Sequence, residues 1–247
     1  MAETIAIIGL GEVGTPLLEL VRQSGLDAVG VDVAPVDLPA RGTTSVMHVC
    51  FPFEIDDFVG ETVRYFDLLR PELTVIESTV AVGTTRAVHE RTGGAVVHSP
   101  IRGKHARMLS ELTHYEKFIG PIDSASGGAA KRHFEALGMT TRLLSTPEAS
   151  ELAKLTETTY FGLLIAWAQE VERYCERVGA DYDEVVGIYE EVGYFPPVKF
   201  FPGAIGGHCV MPNIEILKEI GDTPLLQADR WSNEEKLGRQ AASVSEA

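Results

Sequence analysis

Ile5-Ala6-Ile7-Ile8-Gly9-Leu10-Gly11-Glu12-Val13-Gly14 decides how this chain is read: an apolar strand runs into G-x-G-x-x-G, and Leu17, Leu18, Leu20 and Val21 then follow a helical pattern. In such a loop the first glycine makes the tight turn, the second lets the backbone approach a pyrophosphate, and the third allows helix to pack closely on strand. Alone, the motif is weak. A second strand, Ala28-Val29-Gly30-Val31-Asp32, ends on an acid about 20 residues further on, where a carboxylate accepts hydrogen bonds from an adenosine ribose. Strand, glycines, helix, strand and acid in this order predict a dinucleotide cradle. Asp32 repels a ribose phosphate and no Arg follows it until Arg41, so NAD is expected over NADP.

Outward from the loop, strand patterns alternate with helical ones. Strands are expected at Thr4–Ile8, Ala28–Asp32, Ser45–Cys50, Leu73–Glu77, Ala95–His98, Lys117–Ile119 and Thr141–Leu144. The fold class is therefore α/β, a Rossmann-type, doubly wound and mostly parallel sheet. Val33–Thr44, with Pro35, Pro39 and Gly42, is too short and broken for a good crossover helix. After Pro147 one helix of about 30 residues is expected over Glu148–Val178, with an apolar side of Leu152, Leu155, Thr159, Leu163, Ala166 and Val171. Gly179 stops it, and Asp181 with Glu184 has the spacing of a capping box for the next helix. The expected organisation is an NAD-binding domain over 1–146, a helical central and dimerisation domain over 147–222, and a C-terminal helix and tail over 223–247.

With 247 residues and 45% hydrophobic content, the chain can bury a sizeable core. No apolar run approaches a membrane span, and the N-terminal apolar stretch is the glycine-loop strand, not a signal peptide. Cys50, Cys175 and Cys209 lack metal-ligand spacing and suit a reducing cytoplasm. Acidic residues outnumber basic ones 36 to 21, a net charge of −15 that argues against nucleic acid as a partner.

Two loops stand out chemically. Between Arg91 and Ser110 there is no acid, and Arg102, Lys104 and His105 follow a short strand at the sheet edge where ligands bind in such folds. They are candidates to hold a phosphate or carboxylate, against a plain solvated loop or subunit contact. The second loop, Phe201-Pro202-Gly203-Ala204-Ile205-Gly206-Gly207-His208-Cys209, delivers one thiol to an expected helix start marked by Pro212 and continued by Ile214, Ile216, Leu217 and Ile220. The positive end of a helix favours a nucleophilic thiol, whereas a small buried hydrophobe is the competing reading of Cys209.

Gly9-Leu10-Gly11-Glu12-Val13-Gly14, Glu77-Ser78-Thr79-Val80-Ala81-Val82-Gly83-Thr84-Thr85, Glu151-Leu152-Ala153-Lys154-Leu155 and Gly206-Gly207-His208-Cys209 occur in the order seen in UDP-glucose/GDP-mannose dehydrogenases, and the chain resembles that family from about Ile5 to Lys218. The resemblance implies oxidation of a nucleotide sugar's primary alcohol to a carboxylate by two NAD, through a thiohemiacetal on Cys209. It further implies that Lys154 holds an oxyanion or assists proton transfer and that Thr79 positions a water. Thr158 and Asn213 occupy positions where the family has Asn and Asp, and the family's acidic loop is replaced by Ile101-Arg102-Gly103-Lys104-His105. The family's second α/β domain should follow the cysteine loop, but the sequence ends at Ala247. The expected catalytic set is Cys209, Lys154, Thr79, Thr158 and Asn213. Gly9, Gly11, Glu12, Val13, Gly14, Asp32, Phe51, Pro52 and Thr79 would hold the cofactor, and Arg102, Lys104, His105, Gly206 and Gly207 a small anionic substrate. A homodimer built on the long helix is also expected. Two alternatives stay open: a single-step β-hydroxyacid-type dehydrogenase using Lys154, and a noncatalytic NAD-binding protein.

Overall fold

The structure, a computed structural model, describes residues 4–33, 37–102, 107–193, 202–206 and 209–245, with side chains of the last segment to 242. Two compact units form, Met1–Lys154 and Leu155–Ala247. The first carries strands β1 (Thr4–Ile8), β2 (Ala28–Val31), β3 (Thr44–Val49), β4 (Leu73–Ile76), β5 (Val96–His98), β6 (Lys117–Pro121) and β7 (Thr141–Leu143), each within a residue or two of its expected place. They make one sheet in the order β2-β1-β3-β4-β5-β6-β7. All neighbours are parallel except β5 and β6, where His98 pairs antiparallel with Gly120.

Strand β1 is buried on both faces, which explains why its apolar residues run without alternation. Ile5 and Ile7 enter a core layer with Leu17 and Leu18 of α1 (Gly14–Gln23), Met108 of α4 (Met108–Glu111) and Phe134 of α5 (Ser124–Ala136). Ala6 and Ile8 enter the opposite layer with Phe58, Phe66 and Leu69 of α2 (Phe58–Leu69) and Val88 of α3 (Thr84–Thr92). From β1 the chain steps outward to β2 and then returns past β1 to β3, and no helix is found among the described residues of that return. This reversal makes the carboxyl ends of β1 and β3 the point where such sheets bind ligands.

Helix α6 (Pro147–Val178) has the predicted length, and its first two turns belong to the first unit. There the Glu151 carboxylate, wholly buried, accepts the backbone N–H of Gly83 at 2.7 Å, that of Thr85 at 2.8 Å and the Thr85 hydroxyl at 2.6 Å. It thereby serves the open amide end of α3, a site that attracts a negative charge. Ser150 donates to His98 Nδ1 at 2.9 Å, and Glu148 pairs with Arg86. Leu152, expected on the apolar side, is instead 42% exposed, because it lies round the helix from the turn that Glu151 and Leu155 bury.

The second unit is helical: the remainder of α6, α7 (Tyr182–Gly187), a 3-10 turn at Ile188–Glu191, α8 (Val210–Lys218) and α9 (Pro224–Ser245). Gly179 ends α6 at a φ of 72°, and Asp181 caps α7 by accepting from the Glu184 N–H. Ile205, Val210, Ile214 and Leu226 form its main core, while Ile220 falls beyond α8 and is exposed. The residues from Ala241, expected as a tail, continue α9 to Ser245.

Replacing Glu151 tests this anchor. Glu151→Ala leaves two amides at the start of α3 without their partner and should lower stability by about 2–4 kcal/mol, with Glu151→Gln losing less because one acceptor oxygen remains. Chemical denaturation reads both, and an alanine variant as stable as wild type would show that the buried carboxylate is not the anchor.

Candidate active site

The expected residues fall into two groups, one in each unit. In the first, Gly9 turns at a φ of 93°, and a Cβ there would lie 2.7 Å from the Phe51 nitrogen. A Cβ on Gly14 would come within 1.8 Å of the Gly9 carbonyl oxygen, so α1 starts here only if this residue is glycine. A Cβ on Gly11, by contrast, would meet nothing within 4 Å. The loop is therefore tight where the chain crosses itself, at Gly9 and Gly14, and open at Gly11. Glu12 is exposed in the turn, Val13 is the N-cap of α1 without a side-chain capping bond, and no acid stands in that helix's first turn.

Asp32, at the end of β2, accepts from the Leu10 N–H at 3.3 Å and the Val33 N–H at 2.9 Å, which sets its exposed carboxylate over the glycine loop. Phe51 and Pro52 follow β3, and Ser78 donates to the Phe51 carbonyl at 2.6 Å. Gly9, Phe51 and Ser78 are thus neighbours, and half-buried Thr79 lies next along the loop. An open backbone at Gly11, a helix start without an acid in its first turn and an exposed carboxylate at the end of β2 are compatible with the dinucleotide expected from the sequence.

A buried charge network lies beneath this edge. Glu77 receives a hydrogen bond from His48 Nδ1 at 2.8 Å and pairs with the Lys117 ammonium at 2.5 Å, while Lys117 also donates to the Ser99 carbonyl. His48 Nε2 meets His133 Nε2 at 2.8 Å, which extends the chain of hydrogen bonds from Glu77 to α5. Burial pushes Glu77 up, but Lys117 and His48 outweigh it and hold the carboxyl below its usual value. Burial pushes His98 down to about 3 against the stabilising bond to the Ser78 carbonyl, with the Lys154 ammonium contributing to the fall. Half-buried Lys154 lies one turn along α6 from Ser150, which bonds to His98 at the carboxyl end of β5. Nothing in the sequence marked this network, since each member reads alone as an ordinary strand or helix residue.

Arg102 lies over the rings of Phe118 at 5.3 Å and Tyr115 at 5.7 Å, a stacked placement for a guanidinium. Lys104, His105, Gly207 and His208 lie outside the described residues.

In the second unit Cys209 is exposed and forms the N-cap of α8, as its glycine-rich approach predicted. Its exposure contrasts with half-buried Cys50 and buried Cys175. Asn213 is buried and its backbone N–H bonds to the Cys209 carbonyl at 3.3 Å; Thr158 is half-buried on α6, and Gly206 is exposed.

Three residues that sequence reasoning missed share one face of α9: Asp229, Ser232 and Asn233, all buried. Asn233 pairs with the backbone of Ile205, and Ser232 donates to Gln169, which itself donates to the Gly203 carbonyl at 2.7 Å. Asp229 has neither oxygen hydrogen-bonded. A Cβ on Gly162 of α6 would sit 2.6 Å from both its Oδ2 and Val210 Cγ1, so the carboxyl is wedged among three helices. Only their spacing on α9, three and four residues apart, hinted at a common face.

Burial alone raises the Asp229 carboxyl from 3.8 to about 6. A folded value above the unfolded one makes this group a penalty: absent below about pH 4, growing as pH rises, and complete above about pH 6, where it reaches about 3 kcal/mol. Asp229→Asn should therefore raise the melting temperature at pH 7 and show no advantage near pH 4. A variant that melts lower at pH 7 would mean that the native carboxylate is stabilised in place.

Residues 148–237 match the central-domain model of the UDP-glucose/GDP-mannose dehydrogenase family. A UDP-N-acetyl-D-mannosamine dehydrogenase of Methanocaldococcus jannaschii is 24% identical over 85% of this chain and 60% of its own. The chain spans about 60% of the length of such curated relatives. Among solved structures, the UDP-D-ManNAc dehydrogenase of Pyrococcus horikoshii superposes with a TM-score of 0.84 at 22% identity, covering 98% of this chain and 71% of that one. The 3-hydroxyisobutyrate dehydrogenase of Mycobacterium tuberculosis gives 0.72 at 19% identity, covering 98% and 94%. Residues 148–237, with Lys154, Cys209 and Asn233 among them, thus match the central domain of the UDP-glucose/GDP-mannose dehydrogenase family, in a chain that resembles nucleotide-sugar dehydrogenases along most of its length.

Proposed function

We propose that the protein is an NAD-dependent dehydrogenase that oxidises the primary alcohol of an anionic sugar, a nucleotide sugar of the N-acetylhexosamine class, to the carboxylate. The observation that carries this reading is Cys209: an exposed thiol at the N-cap of α8, behind a glycine-rich loop, within the matched central domain. The names of the relatives supply the sugar class.

Gly9, Gly11, Glu12, Val13, Gly14, Asp32, Phe51, Pro52 and Thr79 hold the cofactor in this reading, and Asp32 favours NAD by repelling a 2′-phosphate. When bound, NAD supplies the hydride acceptor for each of two oxidations, with two molecules used per substrate. Lys154 stabilises alkoxide as the alcohol gives up its proton to solvent water. The Cys209 thiol then adds to the aldehyde: sulfur bonds to carbon as the C=O π bond opens, and the S–H proton passes to the oxygen, which becomes the hydroxyl of a thiohemiacetal. Its oxidation leaves a thioester, and water positioned by Thr79 cleaves the C–S bond to give carboxylate and the free thiol. Neither Asn213 nor Thr158 accepts a proton, so they orient groups. Arg102, with Lys104 and His105, holds the substrate's phosphate.

Supporting a homodimer, Tyr160, Trp167 and Tyr174 recur every seven residues on α6 and are 54, 54 and 48% exposed. Reduced thiols fit a cytoplasmic setting, and no helix among the described residues is long and apolar enough to cross a membrane.

A second reading, a one-step hydroxyacid dehydrogenase using Lys154, is favoured by the near-complete length match to the 3-hydroxyisobutyrate enzyme. Cys209→Ser separates the two. With UDP-N-acetyl-D-mannosamine and NAD, the variant should stop at the aldehyde or at a slowly hydrolysed ester, lowering carboxylate formation by roughly a hundredfold or more, while Cys50→Ser leaves product formation unchanged. Normal carboxylate from the Cys209 variant would remove the thiol from the mechanism.

A further inference from the structure

The loop before Cys209 contains Gly203 and Gly206, and a Cβ on Gly206 would meet nothing within 4 Å. Helix α9 supplies an anchor for the described part of this loop. Asn233 Oδ1 accepts the Ile205 N–H at 2.7 Å and its Nδ2 donates to the Ile205 carbonyl at 3.1 Å. The side-chain amide thus imitates a partner strand, saturating both polar groups of one peptide residue, and only this amide orientation satisfies both. Asn233 is 3% exposed and Ile205 5%, so no water competes for these bonds. The Ile205 side chain packs with Val210, the residue next to Cys209, and with Ile214 and Leu226.

We propose that Asn233 is a positioning residue for Cys209, acting through the backbone of Ile205. This deepens the reading above and rests on Cys209 being the nucleophile. Ile205 lies four residues before the thiol and is clamped on two sides: its peptide by α9 and its side chain by the first turn of α8. Gln169 of α6 adds a second hold at the Gly203 carbonyl and is itself oriented by Ser232, one residue before Asn233. Removing Asn233 leaves an N–H and a C=O buried without partners, which the glycine-rich segment relieves by moving. Asp cannot replace it, because a carboxylate accepts from the N–H but sets its other oxygen against the Ile205 carbonyl.

The test needs no substrate. Amide exchange at Ile205 and the iodoacetamide rate at Cys209, read by peptide mass spectrometry, are compared among wild type, Asn233→Ala, Asn233→Asp and Lys236→Ala. The last breaks the ion pair with Glu172, on the same two helices but away from the loop. Loss of two buried hydrogen bonds should speed Ile205 exchange about tenfold or more in Asn233→Ala, and move the Cys209 rate at least about fivefold toward that of the denatured chain. Lys236→Ala should lower the melting temperature with both readouts within about twofold of wild type. Should the alanine variant not fold, the near-isosteric Asn233→Asp is expected to show the same two changes. The proposal is overturned if a folded Asn233 variant leaves both readouts unchanged, if Lys236→Ala moves the thiol rate equally, or if wild-type Cys209 already reacts at the denatured-chain rate. Turnover that survives in Cys209→Ser defeats the nucleophile reading instead, and leaves the exchange of Ile205 as it was.

Discussion

The Glu151 carboxylate at the open end of α3 is the contact on which the arrangement of the first unit depends. It is buried, accepts three hydrogen bonds, and joins the first turns of α6 to the loop that carries Ser78 and Thr79. Burial, the larger effect, raises this carboxyl above its usual value, while the amides of Gly83 and Thr85 pull the other way. Its orientation sets where the rest of the turn points. Ser150 bonds to His98 in the same turn, and the proposed reactive lysine, Lys154, follows one turn later on α6.

Polar burial follows two different rules in the two units. Beneath the glycine loop, His133, His48, Glu77 and Lys117 form a chain in which each buried charge or imidazole has a partner, and the network holds the end of β4 just before Ser78. On α9 the polar face is only partly matched: Ser232 and Asn233 are satisfied and Asp229 is not. A fully paired network makes an edge rigid, whereas an unpaired carboxyl near the start of α8 is a cost borne in the folded state.

Much of this architecture was legible from residue patterns because it rests on local constraints. Gly9 and Gly14 are required by a backbone crossing with no room for a Cβ, and doubly buried strands such as Ile5–Ile8 have few other readings. Cys209 at a helix start was equally legible, from glycines followed by Pro212 and an apolar repeat. Partners distant in sequence were not. Asn233 and Ile205 lie 28 residues apart, and Glu77 and Lys117 40 apart, so no spacing rule links them. Leu152 failed for a different reason: an apolar residue on a long helix cannot be assigned a face until the contacts of its neighbours are known. The antiparallel step from β5 to β6 was also hidden, since an apolar strand reads the same in either direction.

The central claim is a two-step oxidation that ends on a Cys209 thioester, and the ratio of NADH formed to substrate consumed tests it most directly. With limiting UDP-N-acetyl-D-mannosamine, excess NAD and the intact protein, the account predicts about two NADH per sugar and a carboxylate product, as a four-electron change requires. One NADH per substrate, with a carbonyl product released and turnover preserved, would contradict it and favour single-step chemistry centred on Lys154.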